Sequence, residues 1–351
     1  MDVLFDTSVT DFDRGGTSRY SDALLPRLAA IGADVTEIAM TTAWPWTARL
    51  PRAGRLLVHD LAWVPVGSAA VGRRLGARLY HGAGFKVPPR TPLATSVTIH
   101  DDTPWDNPPT ARLYNRAYMR RDLELAAPRL AGAITSASGT AEAILGRLPA
   151  LRGRLHVTPW GVDHAVFRPR AAAEVAAAQV RAGITGPYVL IVSPYGARKN
   201  EAAMLDALGR VSAHHPGLQA LIVGRHNPPA ADPLAVVRCG RIPDADLAAL
   251  YSGAAMLLYA SLKEGFGLPL LEAMACGCPV VASAGTVLEE IADGAARLAD
   301  PRDVASIADA CEQVLLVGER SRLAGAGIAR AAGFTWENTA RLTAAAWAGM
   351  A

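Results

Sequence analysis

Cysteine is scarce in this chain, and the four present are Cys239, Cys276, Cys278 and Cys311. A domain held by disulfides needs a denser cysteine framework, so that class is excluded. With no signal-peptide pattern, the four are expected to be reduced intracellular thiols. The close pair Cys276 and Cys278 has no second pair to complete a metal site, so both are expected to be small core residues.

Long apolar runs and a strong charge imbalance are also missing. No run of eighteen apolar residues occurs, which excludes a membrane-spanning helix. The net charge of +3 is too small to indicate a nucleic-acid partner, although it agrees with anionic ligands. A content of 51% hydrophobic and 19% charged residues excludes a disordered chain. The length of 351 residues suits two domains, each with its own core.

The most informative stretch is residues 259–283, which read YASLKEGFGLPLLEAMACGCPVVAS. The apolar run 254–259 predicts a buried strand that leads into it. Pro269 fits the first position of a helix, Gly277 fits its end, and 279–282 predict a second strand. The order strand, glycine loop, helix and strand is typical of a phosphate site. The free N–H groups and the positive end of the helix dipole point at an anion there.

Two acids in this stretch have the spacing Glu-x7-Glu. Glu272 lies about one turn into the predicted helix, where a carboxylate can accept hydrogen bonds from two neighbouring hydroxyls, such as those of a ribose. Glu264 lies in the loop, nearer the strand end. The spacing therefore predicts one acid beside a ribose and the other near the far end of a diphosphate. The alternative is that Glu272 complements the helix dipole and Glu264 is a solvated loop acid.

These residues closely resemble the signature of retaining glycosyltransferase family 4, whose GT-B fold has two facing Rossmann-like domains. The resemblance implies that Glu272 binds the nucleotide ribose and that Glu264 contacts the donor sugar. It also implies that the donor lies against the loop and helix start, Gly265, Phe266, Gly267 and Leu268. The expected fold class is α/β with parallel sheets and a C-terminal helix that crosses back onto the first domain.

A second phosphate site is predicted at residues 194–200, PYGARKN, which follow a predicted strand. Arg198 and Lys199 precede a helix for which Asn200 is a suitable N-cap. Two cations there repel the helix dipole unless an anion lies between them, and a lysine can act as a point charge on a diphosphate. The alternative is a pair of solvated cations.

The family resemblance implies that Lys199 binds the donor phosphates. Where many members carry an earlier arginine, this chain has Ser193 and Pro194, so Arg198 is the expected substitute.

In the first half, a strand over 2–8 leads to a Gly15–Gly16 turn and then to a helix. The glycine pair does not follow the G-x-G-x-x-G pattern of nicotinamide binders. The resemblance implies that Gly16 lies under the donor diphosphate, and the alternative is a structural turn.

His100 ends another predicted strand, 96–100, at the edge of the sheet where α/β folds bind ligands. The resemblance implies a position for His100 near the sugar–phosphate junction. The alternative is a capped loop histidine.

No cofactor or metal is expected. Asp11 and Asp13 match the short D-x-D pattern of metal-dependent glycosyltransferases, but the pattern is frequent by chance and belongs to another fold.

The segment after residue 40 combines two tryptophans with three arginines, Trp44, Trp46, Arg49, Arg52 and Arg55. Tryptophan beside arginine suits a membrane interface, while an ordinary loop over the core is the interpretation we favour. Residues 55–59 are expected to form a strand. The protein is expected in the cytoplasm, with peripheral contact at the inner face of the membrane as an open alternative.

The sequence thus predicts an acceptor-side domain at 1–166 with 335–351 and a nucleotide-sugar domain at 167–334. The expected activity is a retaining hexosyltransferase that moves a sugar from a GDP- or UDP-sugar to an acceptor hydroxyl. The acceptor is a glycan, a lipid-linked molecule or a small molecule, and general likeness to bacterial mannosyltransferases favours mannose as the sugar. Glu264, His100 and Lys199 are the candidate catalytic residues.

A nucleotide-sugar epimerase of the same fold and a non-catalytic partner subunit are the alternatives. The Arg-Lys-Asn motif and the Glu-x7-Glu pair argue against the epimerase, and the presence of Lys199 and Glu264 argues against the partner subunit.

Overall fold

The computed structural model describes residues 2–11, 16–89, 91–105, 113–227 and 234–350, and of 113–118 it describes the backbone. The chain divides into two compact units. The first is Met1–Gly161 with Trp336–Ala351, and the second is Val162–Thr335. Each unit contains a six-stranded parallel sheet with helices, which is the predicted α/β class. The C-terminal helix belongs to the first unit, as predicted.

The first sheet has the strand order β2-β1-β3-β4-β5-β6, and the second has the order β12-β11-β10-β7-β8-β9. The strands of the first sheet are β1 Val3–Asp6, β2 Val35–Ile38, β3 Leu79–Gly82, β4 Ala94–Thr98, β5 Gly132–Thr135 and β6 Leu155–Val157. Those of the second are β7 Tyr188–Val192, β8 Gln219–Val223, β9 Val236–Cys239, β10 Met256–Tyr259, β11 Val280–Ser283 and β12 Arg297–Ala299. Strands β1, β7 and β10 are buried along their whole length because helices cover both faces of a parallel sheet.

The helices of the described residues begin with α1 Gly16–Ala30, α2 Met40–Ala43, α3 Arg52–Val58, α4 Ser68–Arg74, α5 Leu113–Ala126 and α6 Ser138–Arg147. The second unit has α7 Ala172–Ala182, α8 Glu201–Ser212, α9 Asp244–Gly253, α10 Leu268–Ala275, α11 Val287–Ala292, α12 Val304–Leu315 and α13 Val317–Ala331. The last helix is α14 Trp336–Ala348, and a π-helix, His59–Gly67, joins α3 to α4. Within these described residues, no helix is both long and apolar enough to cross a bilayer.

Helix α14 is fixed to the first sheet through a buried polar contact. Trp347 is 1% exposed, and its Nε1 donates a hydrogen bond to His81 Nδ1 at 3.2 Å. Burial is the main cause that lowers the pKa of His81 to about 3, so this imidazole is neutral and can accept that bond. The contact ties the end of the chain to β3.

The structure corrects the prediction for the segment after residue 40. The expected loop is largely helical, with α2 and a 3₁₀-helix at Pro45–Arg49. The expected strand at 55–59 is wrong, because these residues lie at the junction of α3 and the π-helix. A short apolar run does not by itself distinguish a strand from a helix. The strand expected to end at His100 instead ends at Thr98.

Candidate active site

Two loops of the second unit meet at the carboxyl ends of neighbouring strands. Strands β7 and β10 pair in parallel, so the loops that follow them emerge at the same edge of the sheet. The first loop leads to α8 and the second to α10. Leu262 N donates to Arg198 O at 2.8 Å, which joins the loops directly. The two predicted phosphate elements are therefore parts of one site.

Glu264 is the centre of this site. Its Oε1 accepts a hydrogen bond from Lys199 Nζ at 2.6 Å, and its Oε2 accepts one from Arg198 Nη1 at 3.2 Å. The exposed side-chain fraction is 7% for Glu264, 14% for Lys199 and 30% for Arg198. Lys199 and Glu264 are thus not solvated surface charges. The anion that the paired cations require is, in this structure, a carboxylate of the protein itself.

Charge and burial oppose each other at Glu264. Burial raises the pKa of its carboxyl group, but the charges of Lys199 and Arg198 outweigh burial and lower that pKa from its ordinary value. Glu264 is therefore ionised at neutral pH. The neighbouring Tyr259 has its pKa raised, first by burial and then by Glu264, with Glu272 adding to the effect. Both acids of the Glu-x7-Glu pair thus act on one tyrosine at the end of β10.

Glu272 is the fifth residue of α10, which is the predicted one turn into the helix. It is 3% exposed, and Tyr251 Oη donates a hydrogen bond to its Oε2 at 3.4 Å. A carboxylate this deeply buried is not a surface acid that merely complements a dipole. Tyr251 belongs to α9, and sequence reasoning did not assign it to the site.

The loop before α10 has little conformational choice. Gly267 has a φ of 109°, and a Cβ built there would lie 2.5 Å from Leu288 Cδ2, so a side chain is excluded on two grounds. Phe266 is buried and packs edge-to-face on Phe334, with ring centroids 6.1 Å apart. The helix itself begins at Leu268, one residue before the predicted Pro269. Gly265 lies between Glu264 and this turn.

Asn200 has a different role from the one predicted. It occupies the N-cap position of α8, but its side chain does not cap the helix. Its φ of 62° is left-handed, and Nδ2 donates to Ala260 O at 2.9 Å and to Pro301 O at 2.7 Å. Asparagine tolerates that conformation. The residue therefore ties the loop after β7 to the loop after β10.

Sequence reasoning missed a second tie at the same loop. Glu201 is 6% exposed, and its Oε2 accepts from Asn227 N at 2.8 Å and from Asn227 Nδ2 at 2.6 Å. Asn227 Oδ1 in turn accepts from Gly196 N at 3.0 Å. The available signal was the polar run GRHN directly after β8, at the same edge of the sheet. These bonds hold the turn that carries Arg198 and Lys199.

In the first unit, His100 is 9% exposed and lies two residues beyond β4. Its Nε2 is 2.7 Å from Ala83 O, and a carbonyl only accepts, so Nε2 carries the proton. Nδ1 is buried with no hydrogen-bond partner among the described residues. Burial is the main cause that lowers the pKa of His100 to about 4. His100 therefore presents a bare acceptor nitrogen at neutral pH.

Trp160 brings the two candidate residues of the first unit together. Its ring lies edge-on to His100, with centroids 5.2 Å apart, and it stacks on Tyr20 at 5.3 Å. Gly16 is the first residue of α1, and a Cβ built on it would approach the Trp160 ring only to 3.9 Å, an ordinary contact. Sterics within this unit do not require glycine at position 16. Gly15 and Asp13, which the sequence also singled out, lie outside the described residues.

A small cavity of about 10 Å³, room for roughly one water molecule, lies at the carboxyl ends of β1 and β3. Its lining includes His59, Tyr80 and Lys86. Behind it, Asp60 forms an ion pair with Lys86 and accepts from His59 Nδ1 at 2.8 Å. Burial raises the pKa of Asp60, but its bonds to His59 and Lys86 outweigh burial, so the net pKa is lowered. The cavity is therefore bordered by charged, hydrogen-bonding groups.

The described residues contain no group of three or more His, Cys, Asp or Glu side chains placed to hold a metal ion. Asp11, one half of the D-x-D pattern, accepts from Thr41 Oγ1 at 2.9 and 3.0 Å. This bond gives Asp11 a structural role, since it joins the 3₁₀-helix Ser8–Asp11 to α2.

A solved structure with this architecture is sucrose-phosphate synthase from Thermosynechococcus elongatus, with a TM-score of 0.74 and 22% identity over 99% of this chain and 98% of that chain. HepE of Anabaena, solved in complex with UDP-glucose, also has a TM-score of 0.74, at 15% identity over 99% of both chains. Identities this low establish the fold alone.

Sequence similarity goes further than the fold. The chain is 29% identical over 376 positions to the O-antigen chain mannosyltransferase B of Escherichia coli, covering 96% of this chain and 97% of that protein. A family model described as Glycosyl transferases group 1 matches residues 186–316, a range that contains Lys199, Glu264 and Glu272. The chain is therefore a glycosyltransferase, and its residues 186–316 belong to the group 1 glycosyl transferases.

Proposed function

We propose that the second unit binds a nucleoside-diphosphate sugar with its diphosphate at Arg198, Lys199 and the start of α10. The observation that carries this proposal is the pairing of both cations with the single carboxylate of Glu264. The group keeps a net charge of +1, and it lies beside the N-terminus of a helix, which favours a further anion. A leaving diphosphate there would have its developing charge stabilised by groups already in position.

Glu264 holds the cations in place before the donor arrives. A diphosphate is the stronger anion and displaces the carboxylate from Lys199 and Arg198. The released carboxylate then accepts hydrogen bonds from hydroxyls of the donor sugar. Glu264 thus has two roles, as a positioning partner in the free enzyme and as a sugar ligand in the complex.

Glu272 binds the ribose of the nucleotide in this proposal. A carboxylate has acceptor positions enough for two neighbouring hydroxyls, and Tyr251 Oη donates to Oε2 of this buried one at 3.4 Å. The amides of Gly267 and Leu268 face the diphosphate, with Gly265 and Phe266 forming the rest of the loop.

The donor is a GDP- or UDP-sugar, and mannose is the favoured sugar. Similarity to an Escherichia coli mannosyltransferase along almost the entire chain supports mannose. The complex of the structural neighbour HepE with UDP-glucose supports a nucleotide sugar in general.

We propose that transfer occurs with retention of the anomeric configuration and without a metal ion or cofactor. The acceptor oxygen forms a bond to the anomeric carbon as the bond from that carbon to the phosphate oxygen breaks. A donor phosphate oxygen takes the acceptor proton. His100 does not serve as a general base, since a pKa of about 4 makes it a weak one at neutral pH. Its buried, unprotonated Nδ1 is an acceptor for a substrate hydroxyl that reaches it, and Gly16 leaves the start of α1 without a side chain.

The acceptor binds to the first unit over the small cavity lined by Lys86 and His59, which does not itself enclose a sugar. Charged and hydrogen-bonding groups at that cavity suit the hydroxyls of a glycan, a lipid-linked sugar or a small polyol. An acceptor of the lipid-linked kind would place the enzyme at a membrane surface.

A thermal-shift panel of nucleotides and nucleotide sugars tests the donor site, because a ligand that binds only the native state raises the apparent stability. We expect GDP- or UDP-sugars to raise Tm.

Lys199→Ala is expected to abolish turnover, and Glu272→Ala is expected mainly to weaken donor binding. Treatment with EDTA is expected to leave turnover unchanged.

The matched control is Arg181→Ala, which removes a cation of the same unit that pairs with Asp246 on the surface. It is expected to behave like the wild type in both assays. Wild-type turnover in Lys199→Ala, or a panel in which no nucleotide shifts Tm, would contradict the proposed donor site.

A further inference from the structure

The helical stretch from Arg52 to Arg74 exposes apolar side chains on its outer face. Leu57, Leu61 and Val66 are 58%, 61% and 64% exposed. A surface helix normally turns polar residues outward, so three large apolar side chains in this position are unusual. We call these three residues the apolar stripe.

The spacing of the apolar stripe shows that it is one continuous feature. The steps are four and then five residues, and the second step lies in the π-helix His59–Gly67, whose turns take more residues than those of an α-helix. The three side chains therefore fall on the same side. The opposite side is buried through Trp63 and Val64, at 0% and 3% exposure, which fixes the stripe toward solvent.

The charges around the apolar stripe have one sign. Residues 41–78 contain six arginines, Arg49, Arg52, Arg55, Arg73, Arg74 and Arg78. The only acid in this range is Asp60, which is buried and paired with Lys86 and His59. Trp46, 54% exposed, lies in the 3₁₀-helix just before the stretch. An exposed apolar stripe with basic ends and a nearby tryptophan matches the composition of elements that lie in a membrane interface.

We propose that the apolar stripe and its arginines dock the first unit on an anionic lipid bilayer. The stripe enters the boundary between headgroups and acyl chains, and the arginines contact lipid phosphates. A second copy of this chain is a poorer occupant, because two such faces would bring arginines against arginines. The contact deepens the proposed function, since it favours a lipid-linked acceptor, but it is independent of the donor site in the other unit.

Vesicle flotation tests the proposal with the full chain. We expect wild-type protein to float with vesicles of phosphatidylglycerol and phosphatidylcholine, to stay behind with phosphatidylcholine alone, and to be released by high salt. The double variants Leu57→Ser/Leu61→Ser and Arg73→Gln/Arg74→Gln are each expected to reduce the bound fraction by roughly tenfold.

The matched control is Val180→Ser/Val317→Ser, which removes two apolar side chains of the second unit that are 78% and 84% exposed. It should float like the wild type. All variants change exposed positions, so an unchanged Tm and an unchanged shift of Tm by nucleotide sugar are expected. These two readouts separate a failure of docking from a failure of the proposed donor site.

Three outcomes would overturn the proposal. The first is a wild-type chain that does not bind anionic vesicles, and the second is full binding by both stripe and arginine variants. The third is a dimer in light scattering without lipid that Leu57→Ser/Leu61→Ser dissociates, which would assign the stripe to a second copy.

Discussion

At the residue scale, His100 shows how burial decides what a titratable side chain can do. The residue type suggests acid–base catalysis, yet burial lowers its pKa to about 4 and its Nε2–H is committed to Ala83 O. A group that is already neutral throughout the physiological range cannot impose a pH dependence there. What it offers is one acceptor nitrogen, Nδ1, that has no hydrogen-bond partner in the described part of the chain.

We therefore predict that His100→Asn lowers kcat/KM by about tenfold, the size expected for one lost hydrogen bond, without changing the pH–rate profile near neutrality. Steady-state kinetics across pH measure this. His214→Asn is the control, since that histidine is mostly exposed and lies just after α8 in the second unit. An acid limb near the ordinary histidine pKa of 6.5 that disappears in His100→Asn would instead make it a general base.

Glu264 provides a prediction about stability and pH. Its folded-state pKa lies below the ordinary value of 4.5, so the unfolded state binds the proton more tightly. The stabilisation is therefore complete above pH 4.5 and is lost as the pH falls through the lower, folded-state pKa. Glu264→Gln is expected to reduce the free energy of unfolding by about 3 kcal/mol at neutral pH, because it leaves Lys199 and Arg198 without their anion.

Urea unfolding at neutral and acidic pH measures this difference, which should shrink below pH 4.5. Asp206→Asn on the exposed face of α8 is the control for a general loss of negative charge. A Glu264→Gln protein with the same deficit at both pH values would show that packing, not the ion pairs, determines the effect.

At the element scale, the turn between β10 and α10 depends on one backbone conformation. Gly267→Ala is predicted to cost about 1–3 kcal/mol, because a φ of 109° is unfavourable for alanine and the new Cβ meets Leu288. Gly325→Ala in α13 is the matched control, since a Cβ there has open space. That change is expected to stabilise by roughly 0.5–1 kcal/mol, as glycine in a helix interior is unfavourable. Equal effects of the two changes in thermal unfolding would refute the argument.

The same turn explains why this part of the chain was predicted well. Glycine, proline and an uninterrupted apolar run act locally, and each sets a strand end, a helix start or a helix end without help from distant residues. The segment from Thr41 to Gly67 was predicted poorly for the converse reason. Its apolar residues cover a wide arc, and only packing of Trp63 against the core selects a helix there.

At the scale of the whole molecule, the first unit combines two distant parts of the sequence, residues 1–161 and 336–351. The last helix buries one face, with Trp336, Ala340, Thr343 and Trp347 all nearly inaccessible. Trp347 also donates to His81 inside the first sheet. The first unit should therefore depend on residues that are far apart in the sequence.

We predict that Trp347→Ala destabilises the first unit by about 3–5 kcal/mol, as expected for removing a fully buried tryptophan. Hydrogen exchange followed by mass spectrometry should show faster exchange in β1 and β3, while β7 and β10 keep their protection. Trp347→Phe retains most of the packing and should cost about 1 kcal/mol through the lost bond to His81. Equal acceleration in both sheets after Trp347→Ala would show that the units do not unfold separately.

The sequence alone predicted the strand–loop–helix elements and, through the family resemblance, the α/β class, the return of the last helix and the residues proposed for the donor site. The elements follow from local backbone preferences and from the spacing of apolar side chains, both of which are written along the chain. Only the tertiary structure decided that Glu264 pairs with both cations beside it, that His100 is uncharged, and that Leu57 and Leu61 point to solvent. Charge state and exposure depend on what surrounds a group in three dimensions, and neighbours brought from other strands and helices cannot be counted from sequence spacing.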